Sequence, residues 1–291
     1  MTTALEDFLE LMKLEQLEEN VFRAPPQKKN RLRLMGGPII AQGLMAASLT
    51  VPEDRKIHSL HSYFVKAGKL GPPIDYHVER VRDGKSFSKR RLSAYQDDTI
   101  LFTWTGSFQV LEEGLEHHDP MPDVPMPEEL KTTEEIVQQF GKEIPMFLKL
   151  FWSPGRPIDM KPVDLEHYLT SHELPSFQNI WLKCRESLPE GPHLHNCLLA
   201  LASDSTLLDT ALYPHGLHAY DMPSMHAMSI DHAMWFHHPV KADEWILYSQ
   251  DSPNASNGRG FCRGKFYSRD GTLIASTCQE GLIRQVDKNK I

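Results

Sequence analysis

Cysteine is scarce in this sequence and confined to its second half. The four cysteines are Cys184, Cys197, Cys262 and Cys278, so the first 183 residues have none. No two of them stand in a C-x-x-C spacing, as redox and zinc motifs require. The pattern therefore argues against a disulfide scaffold and favours a reducing compartment.

Long apolar runs are also missing. No window approaches the roughly 18 consecutive apolar residues that a transmembrane helix needs. The first residues include Glu6, Asp7 and Glu10, whereas a secretory signal begins with basic and then apolar residues. We therefore expect no membrane span and no signal peptide, and we expect a globular intracellular protein.

Positive charge forms no sustained run. Lysine and arginine number 31 against 39 aspartates and glutamates, which gives a net charge of −8. Nonspecific nucleic-acid binding depends on clustered positive charge, so this balance disfavours a nucleic-acid partner.

Several catalytic and cofactor motifs are absent. The chain has no G-x-x-x-x-G-K-[ST] loop, no G-x-G-x-x-G fingerprint and no G-x-S-x-G elbow. Its 15 histidines raise the possibility of a metal, above all in MHAMSIDHAMWFHHP, which begins at Met225. His232 and His237 are five apart, however, and on a strand this spacing points them to opposite faces. We expect no metal and no cofactor.

What the sequence does contain is an order of elements that occurs twice. The first half has an amphipathic opening helix over 3–19, an apolar Ala-rich helix (IIAQGLMAASLT) suited to burial nearly all round, and then alternating strand segments. Pro38 stands where the first turn of that second helix tolerates proline. A Pro-rich connection and a helix over 134–151 follow. The second half again has an Ala-rich helix (CLLALASDSTLLDTAL), a His-bearing strand and further strands. The class is therefore α+β.

The repeated order predicts a two-fold internal duplication, with His61 aligned to His232. The alternative is two generic helix-plus-sheet halves that resemble each other by chance. The predicted divisions are an N-terminal domain over 1–111, a Pro-rich linker and connecting helix over 112–150, and a C-terminal domain over 151–291.

Three polar residues of the second half stand among apolar neighbours. They are Asp204 in the Ala-rich helix, Ser229 on the His-bearing strand and Gln279 in the last strand. Where a helix packs on a sheet, such side chains can converge and orient a water molecule for attack. The alternative is three separately hydrogen-bonded residues.

Two turns carry an arginine each, at equivalent places in the two halves. Arg82 and Arg259 each stand beside a glycine turn. The planar guanidinium suits a phosphate, but a solvated arginine in a hairpin explains the pattern equally well.

The chain resembles the acyl-coenzyme A thioesterase II (TesB-type) family. The motifs are GGPIIAQGLMAA, IHSLHSYFVKAG and RDGKSFSKRR in the first half, and ASDSTLLDTAL, SIDHAMWFHHP and the run from Glu244 to Arg284 in the second. This resemblance implies a double hotdog: two antiparallel sheets, each wrapped around a long central helix.

The resemblance also implies a function. It assigns catalysis to Asp204, Ser229 and Gln279, which would activate water to hydrolyse a fatty acyl-CoA without a covalent intermediate. Coenzyme A contacts by Arg82, Arg259 and His61, and a homo-oligomer, are further expectations. Two alternatives stay open, namely a non-catalytic acyl-CoA binding or sensing protein and a hotdog dehydratase, which would need a His-Asp or His-Glu pair.

Two further features of the sequence bear on ligand binding and on location, namely Pro38 and the last three residues. Many relatives read GGQ before the first helix, whereas this chain has Pro38, which has no N–H; a ligand-binding role for that loop is therefore in doubt. The C-terminal Asn289-Lys290-Ile291 is a relative of S-K-L, or else a chance basic tail. Together with peroxisomal members of the family, it favours the peroxisomal matrix over the cytosol and an import receptor as partner.

Overall fold

The structure is a computed structural model that describes residues 3–27, 34–152, 155–191, 193–218 and 225–286. The α-helices in these ranges are α1 (Ala4–Met12), α2 (Gly36–Ser48), α3 (Thr133–Phe140), α4 (Met146–Phe151), α5 (Glu166–Leu169) and α6 (Leu194–Ser203). The strands are β1 (Glu15–Glu18), β2 (Val21–Ala24), β3 (Arg55–Phe64), β4 (Ile74–Asp83), β5 (Phe87–Gln96), β6 (Thr99–Val110), β7 (Ile158–Pro162), β8 (Phe177–Cys184), β9 (Met225–Ser229), β10 (Asp231–Phe236), β11 (Ile246–Ser256), β12 (Arg259–Ser268) and β13 (Leu273–Gln285).

These strands form one antiparallel sheet in the order β1-β2-β4-β5-β6-β3-β10-β13-β12-β11-β8-β7, with β9 added to β13. The two sheets expected from the sequence are fused, because β3 and β10 pair directly from Ser59↔Trp235 to Tyr63↔Asp231. This pairing satisfies two edges that would otherwise be exposed. On either side of it the strand order is the same, since β6, β5, β4 and β2 follow β3 as β13, β12, β11 and β8 follow β10.

The predicted alignment of His61 with His232 is wrong, because the two residues do not occupy equivalent places in their strands. His61 lies opposite Ala233, and His232 lies opposite Ser62. Because strand side chains alternate between faces, the two histidines point to opposite sides of the sheet. His232 is fully buried, whereas His61 is exposed and packs edge-on against Trp235 with ring centroids 5.2 Å apart.

The two Ala-rich helices pack against each other on the inner face. The sequence predicts that α2 is buried nearly all round, and every residue from Gly37 to Ser48 is buried. Pro38 occupies its first turn, as expected. A Cβ on Gly37 would lie only 2.5 Å from the backbone oxygen of Leu201, so the missing side chain lets α2 and α6 approach closely.

Three predicted helices are shorter than expected. The opening helix ends at Met12, and β1 takes up residues Glu15–Glu18. The helix predicted over 134–151 is divided into α3 and α4, with Gly141 as the C-cap of α3 and Pro145 as the N-cap of α4. The Ala-rich helix of the second half ends at Ser203, and a 3₁₀ turn over Leu207–Ala211 follows.

The Pro-rich segment between the halves packs on the outer face of the C-terminal sheet. Its Met121, Val124 and Met126 contact a cluster that includes Trp181, and Trp181 Nε1 donates a 2.9 Å hydrogen bond to Pro125 O. The segment separates the end of β6 from the start of β7, and residues 121–126 of the linker expected over 112–150 lie against the sheet. The division into domains itself stays a prediction.

Candidate functional site

Asp204 lies at the C-terminal end of α6. It is the C-cap residue, with φ −85° and ψ −5°, and its backbone N–H donates to Ala202 O. The sequence predicts it inside a longer helix; the structure ends the helix one residue earlier, so the carboxylate leaves the helix end and points toward the sheet. Asp204 is half-buried.

Ser229 and Gln279 reach the same point from the sheet. Ser229 ends β9, opposite Gly281 of β13, and its Oγ donates a 2.7 Å hydrogen bond to Asp204 Oδ1. Gln279 faces inward from β13 and is 1% exposed; its Nε2 donates a 2.7 Å hydrogen bond to Ser229 Oγ. The structure thus brings the three predicted residues together in one chain of hydrogen bonds.

His232 extends this series of hydrogen bonds, a role that the sequence analysis did not predict. Its Nδ1 lies 2.7 Å from Gln279 Oε1. Its Nε2 lies 2.8 Å from Ser203 Oγ and 3.1 Å from Thr277 Oγ1. The imidazole is therefore hydrogen-bonded through both ring nitrogens. The alternation of side chains along β10 was the available signal, because it places His232 on the same face as the buried Met234.

Burial decides the ionisation of this interior. Burial lowers the pKa of His232, opposed by the nearby charge of Asp204 and by the hydrogen bond to Gln279. Burial also raises the pKa of Tyr248 well above its ordinary value; its hydroxyl donates a 2.7 Å hydrogen bond to Ser203 O at the end of α6. The network is therefore built on a neutral imidazole and a neutral phenol.

The N-terminal half contributes the start of α2 to this site. A Cβ on Gly36 would lie 2.6 Å from Asp204 Oδ2 and 2.8 Å from Phe64 Cζ, so any side chain here would displace the carboxylate and the ring. The doubt attached to Pro38 does not extend to Gly36, which is the first helical residue. The glycines that precede Pro38 were the available signal for this part of the site.

The three predicted coenzyme A contacts do not join this cluster. Arg82 is exposed on β4, which is separated from β10 in the sheet order by β5, β6 and β3. Arg259 Nε lies 3.0 Å from Glu280 Oε1, on the face of β12 and β13 opposite to Gln279. His61 also faces away from Gln279. Their role in binding stays a prediction.

Other features of the described residues concern metals and membranes. Within them no three His, Cys, Asp or Glu side chains converge in a way that could hold a metal ion. None of the helices they form is long and apolar enough to cross a bilayer. His237, which drew attention in the sequence, has its Nε2 2.9 Å from Ser276 Oγ.

The chain matches two family models and several relatives. The models are Acyl-CoA thioesterase over residues 154–282 and Acyl-CoA thioesterase N-terminal domain over residues 25–109. Acyl-CoA thioesterase 2 of Haemophilus influenzae is 37% identical over 284 residues, which cover 98% of this chain and 99% of that protein. Acyl-coenzyme A thioesterase 8 of Homo sapiens is 38% identical over 293 residues, covering 97% and 91%.

Solved structures agree in fold. The acyl-CoA thioesterase II TesB2 from Mycobacterium marinum superimposes with a TM-score of 0.78 at 36% identity, covering 96% of this chain and 99% of that one. A protein from Alicyclobacillus acidocaldarius with a hot dog fold gives 0.76 at 19% identity and covers 99% and 100%, which shows the fold alone. The chain belongs to the acyl-CoA thioesterase II family, and it is a hotdog-fold thioester hydrolase that acts on acyl-CoA.

Proposed function

We propose that Asp204, Ser229 and Gln279 hold and activate the water molecule that hydrolyses the fatty acyl-CoA thioester. The chain of 2.7 Å hydrogen bonds from Gln279 Nε2 through Ser229 Oγ to Asp204 Oδ1 carries this proposal. In this series of hydrogen bonds the Asp204 carboxylate is the final acceptor, and it takes the proton of a bound water.

The reaction then balances without an acyl-enzyme. The water oxygen bonds to the thioester carbonyl carbon, and one water proton passes to the Asp204 carboxylate. The tetrahedral intermediate reforms its C=O bond as the C–S bond breaks. The coenzyme A thiolate takes the proton from Asp204, which returns to its carboxylate form, and the free fatty acid leaves.

The N-terminus of α2 stabilises the charge that develops on the carbonyl oxygen. The first N–H groups of a helix have no partner within the helix and form the positive end of its dipole. No side chain of the N-cap residue Met35 caps them. Gly36 at this end lies against Asp204, so the general base and the oxyanion donors stand on opposite halves of the chain and face one thioester.

The geometry does not favour a dehydratase. That chemistry would need a histidine paired with a carboxylate, whereas the ring nitrogens of His232 contact Gln279, Ser203 and Thr277. Asp231 is the adjacent residue, but its Oδ1 accepts the backbone N–H of Glu280 at 2.7 Å.

The test of this function is thiol release from palmitoyl-CoA by the wild type and by Asp204→Asn. The substitution keeps the shape but removes the base, so kcat should fall by roughly 10²- to 10⁴-fold. Binding of a non-hydrolysable acyl-CoA analogue should stay within severalfold. The matched control is Ser205→Ala, one residue further along, whose hydroxyl makes only a 3.4 Å contact to Leu201 O. Full activity of Asp204→Asn would refute the assignment.

The architecture proposed with this function is a double hotdog that arose by internal duplication. The identical strand order on both sides of the β3–β10 pair supports it. Contacts of Arg82, Arg259 and His61 with coenzyme A, and a homo-oligomer, are part of the same proposal. Substitution of each arginine by glutamine, with KM for acyl-CoA as the readout, tests the contacts, and light scattering tests the assembly.

A peroxisomal location is the final part of the proposal. It is supported by the relative named Peroxisomal acyl-coenzyme A thioester hydrolase 1 of Saccharomyces cerevisiae, which is 27% identical over 332 residues and covers 96% of this chain and 94% of that one. Asn289-Lys290-Ile291, the predicted address for the import receptor, lies outside the described residues. A fluorescent protein carrying the last residues of the chain should enter peroxisomes, and removal of Asn289-Lys290-Ile291 should leave it in the cytosol.

A further inference from the structure

The orientation of the Gln279 amide decides where the hydroxyl proton of Ser229 points. Ser229 Oγ lies 2.7 Å from both Asp204 Oδ1 and Gln279, and a hydroxyl has one proton to donate. If Gln279 presents its N–H₂ group, the proton of Ser229 points to the carboxylate. If Gln279 presents its oxygen instead, the proton is drawn to the amide, and Ser229 Oγ faces the carboxylate of Asp204 with no hydrogen between them.

The direction of the Gln279 amide is therefore decided at its other end. That end is 2.7 Å from His232 Nδ1. With a proton on Nδ1, His232 donates to Gln279 Oε1 and turns the N–H₂ group toward Ser229. Without that proton, Nδ1 is an acceptor and draws the N–H₂ group to itself. Gln279 is 1% exposed and His232 is fully buried, so no solvent water substitutes for either partner.

Two hydroxyls on the far side of the ring decide which nitrogen carries the proton. Thr277 Oγ1 is 3.1 Å from His232 Nε2 but 2.8 Å from Ala233 O, to which it donates. Ser203 Oγ is 2.8 Å from both His232 Nε2 and Ala200 O. Ser203 has a single proton, which it donates either to Ala200 O or to His232 Nε2. When Ser203 turns from Ala200 O and donates to Nε2, this nitrogen is an acceptor and the proton of the neutral ring stands on Nδ1.

We propose that His232 is a positioning residue, which through its Nδ1–H fixes the orientation of the Gln279 amide and thereby aims the Ser229 hydroxyl at Asp204. This inference rests on the proposed function, since it concerns the same water-activating set. His232 touches no reacting atom. It acts through Gln279, and Ser203 holds it in the required tautomer.

The expected loss of activity on replacing such a positioning residue can be given. Residues that orient the ligands of a metal site are worth roughly 10- to 100-fold in activity, and we expect an effect of the same order for a residue that orients a water-binding set. His232→Leu removes the donor, so kcat for palmitoyl-CoA should fall by about that factor while KM stays within about twofold. His232→Asn keeps an N–H donor close to the position of Nδ1, so it should restore most of the lost kcat.

A double-mutant cycle separates positioning from packing. If His232 acts only through Gln279, its replacement has nothing left to act on once Gln279→Ala has removed the amide. The double variant His232→Leu/Gln279→Ala should then have the kcat of Gln279→Ala alone. Losses that multiply, or equal losses in His232→Leu and His232→Asn, would overturn the proposal.

Ser203→Ala keeps the proposal testable where the buried leucine prevents folding. It removes the hydroxyl that holds the ring proton of His232 on Nδ1 and adds no volume, so kcat should fall by about 3- to 10-fold at unchanged KM. The control variant Ser205→Ala should keep full activity. Wild-type kcat in Ser203→Ala would contradict the tautomer step. Full activity in Asp204→Asn would instead refute the proposed function, whereas inactive Asp204→Asn beside fully active His232→Leu would refute this inference alone.

Discussion

The first turn of α2 gives the sharpest prediction, because a single methyl group there should separate activity from stability. Gly36 is the first residue of the helix, and a Cβ at this position would lie 2.6 Å from Asp204 Oδ2 and 2.8 Å from Phe64 Cζ. Favourable contacts to carbon need about 3.5–4.0 Å. Gly36→Ala must therefore push the carboxylate and the ring away by roughly 0.5–1 Å.

The two effects of this displacement differ in size. A displacement of about 1 Å at a reacting centre costs on the order of 100-fold in rate, so kcat for palmitoyl-CoA should fall by about 10- to 100-fold. Both neighbours are the ends of side chains and can turn aside. The free energy of unfolding should therefore fall by only about 1–2 kcal/mol, at the lower end of what overpacking costs.

Gly43→Ala is the matched control on the same helix. The nearest atoms to its Cβ would be Phe102 Cε1 at 3.5 Å and Leu92 Cδ1 at 3.7 Å, which are ordinary contacts. Alanine in a helix interior is more stable than glycine by roughly 0.5–1 kcal/mol, so this variant should gain stability at unchanged kcat. Steady-state thiol release and urea unfolding measure both quantities. If Gly36→Ala keeps kcat within twofold of the wild type, the placement of α2 against the base is wrong.

Two further predictions concern charged groups outside the site. Burial, with a smaller contribution from Lys56, lowers the pKa of His193 from 6.5 to about 4. The folded state then binds fewer protons than the unfolded state, so stability is lost as the pH falls from 6.5 toward 4. Between pH 7 and 4.5, the free energy of unfolding of His193→Asn should fall by about 1–2 kcal/mol less than that of the wild type, a partial effect because the ring is partly exposed. Equal losses for the two proteins in urea unfolding would contradict this. Arg90, fully buried, donates at 2.9 Å to Thr50 O, so Arg90→Met should cost about 2–4 kcal/mol by leaving buried acceptors unpaired, whereas the exposed Arg91→Met should change stability by less than about 0.5 kcal/mol.

The sequence predicted the elements that a single pattern specifies. The Ala-rich run from Pro38 onward has apolar residues on every side, which only a helix enclosed by other elements can bury, and α2 is such a helix. Ser229 and Gln279 stood out as polar residues on apolar strands. Reasoning from the residues left open whether they converge with Asp204, the family resemblance favoured convergence, and the structure adds the distances.

Other features depend on packing that no local pattern records. Strand parity placed His232 inside and His61 outside, and a shift of one position in the alignment exchanges the two faces. The end of α6 at Ser203 was also missed, because the apolar run continues into a 3₁₀ turn. Gly36 and Asp204 are 168 positions apart in the sequence, so no local pattern around either residue could predict that they lie close together.

The two halves share a strand order but differ in the residues that the proposed site uses, so the proposed site draws on both. In the described first half, α2 has Leu49 at its C-cap, where α6 has Asp204. The positions of β3 that are buried on the inner face include Leu60 and Ser62, and no imidazole stands there. At these positions the first half therefore has neither a carboxylate nor an imidazole with which to build such a chain of hydrogen bonds.

The second half lacks the opposite component. Helix α6 has His193 as its N-cap and begins at Leu194, rather than with two glycines as α2 does. The proposed base, Asp204, comes from the C-terminal end of one helix, and the proposed oxyanion donors come from the N-terminal end of the other. The antiparallel approach of α2 and α6, which Gly37 permits, brings these ends together at one point. A chain cut between the halves should therefore lose thioesterase activity in either piece and regain it only when the two pieces reassociate through β3 and β10.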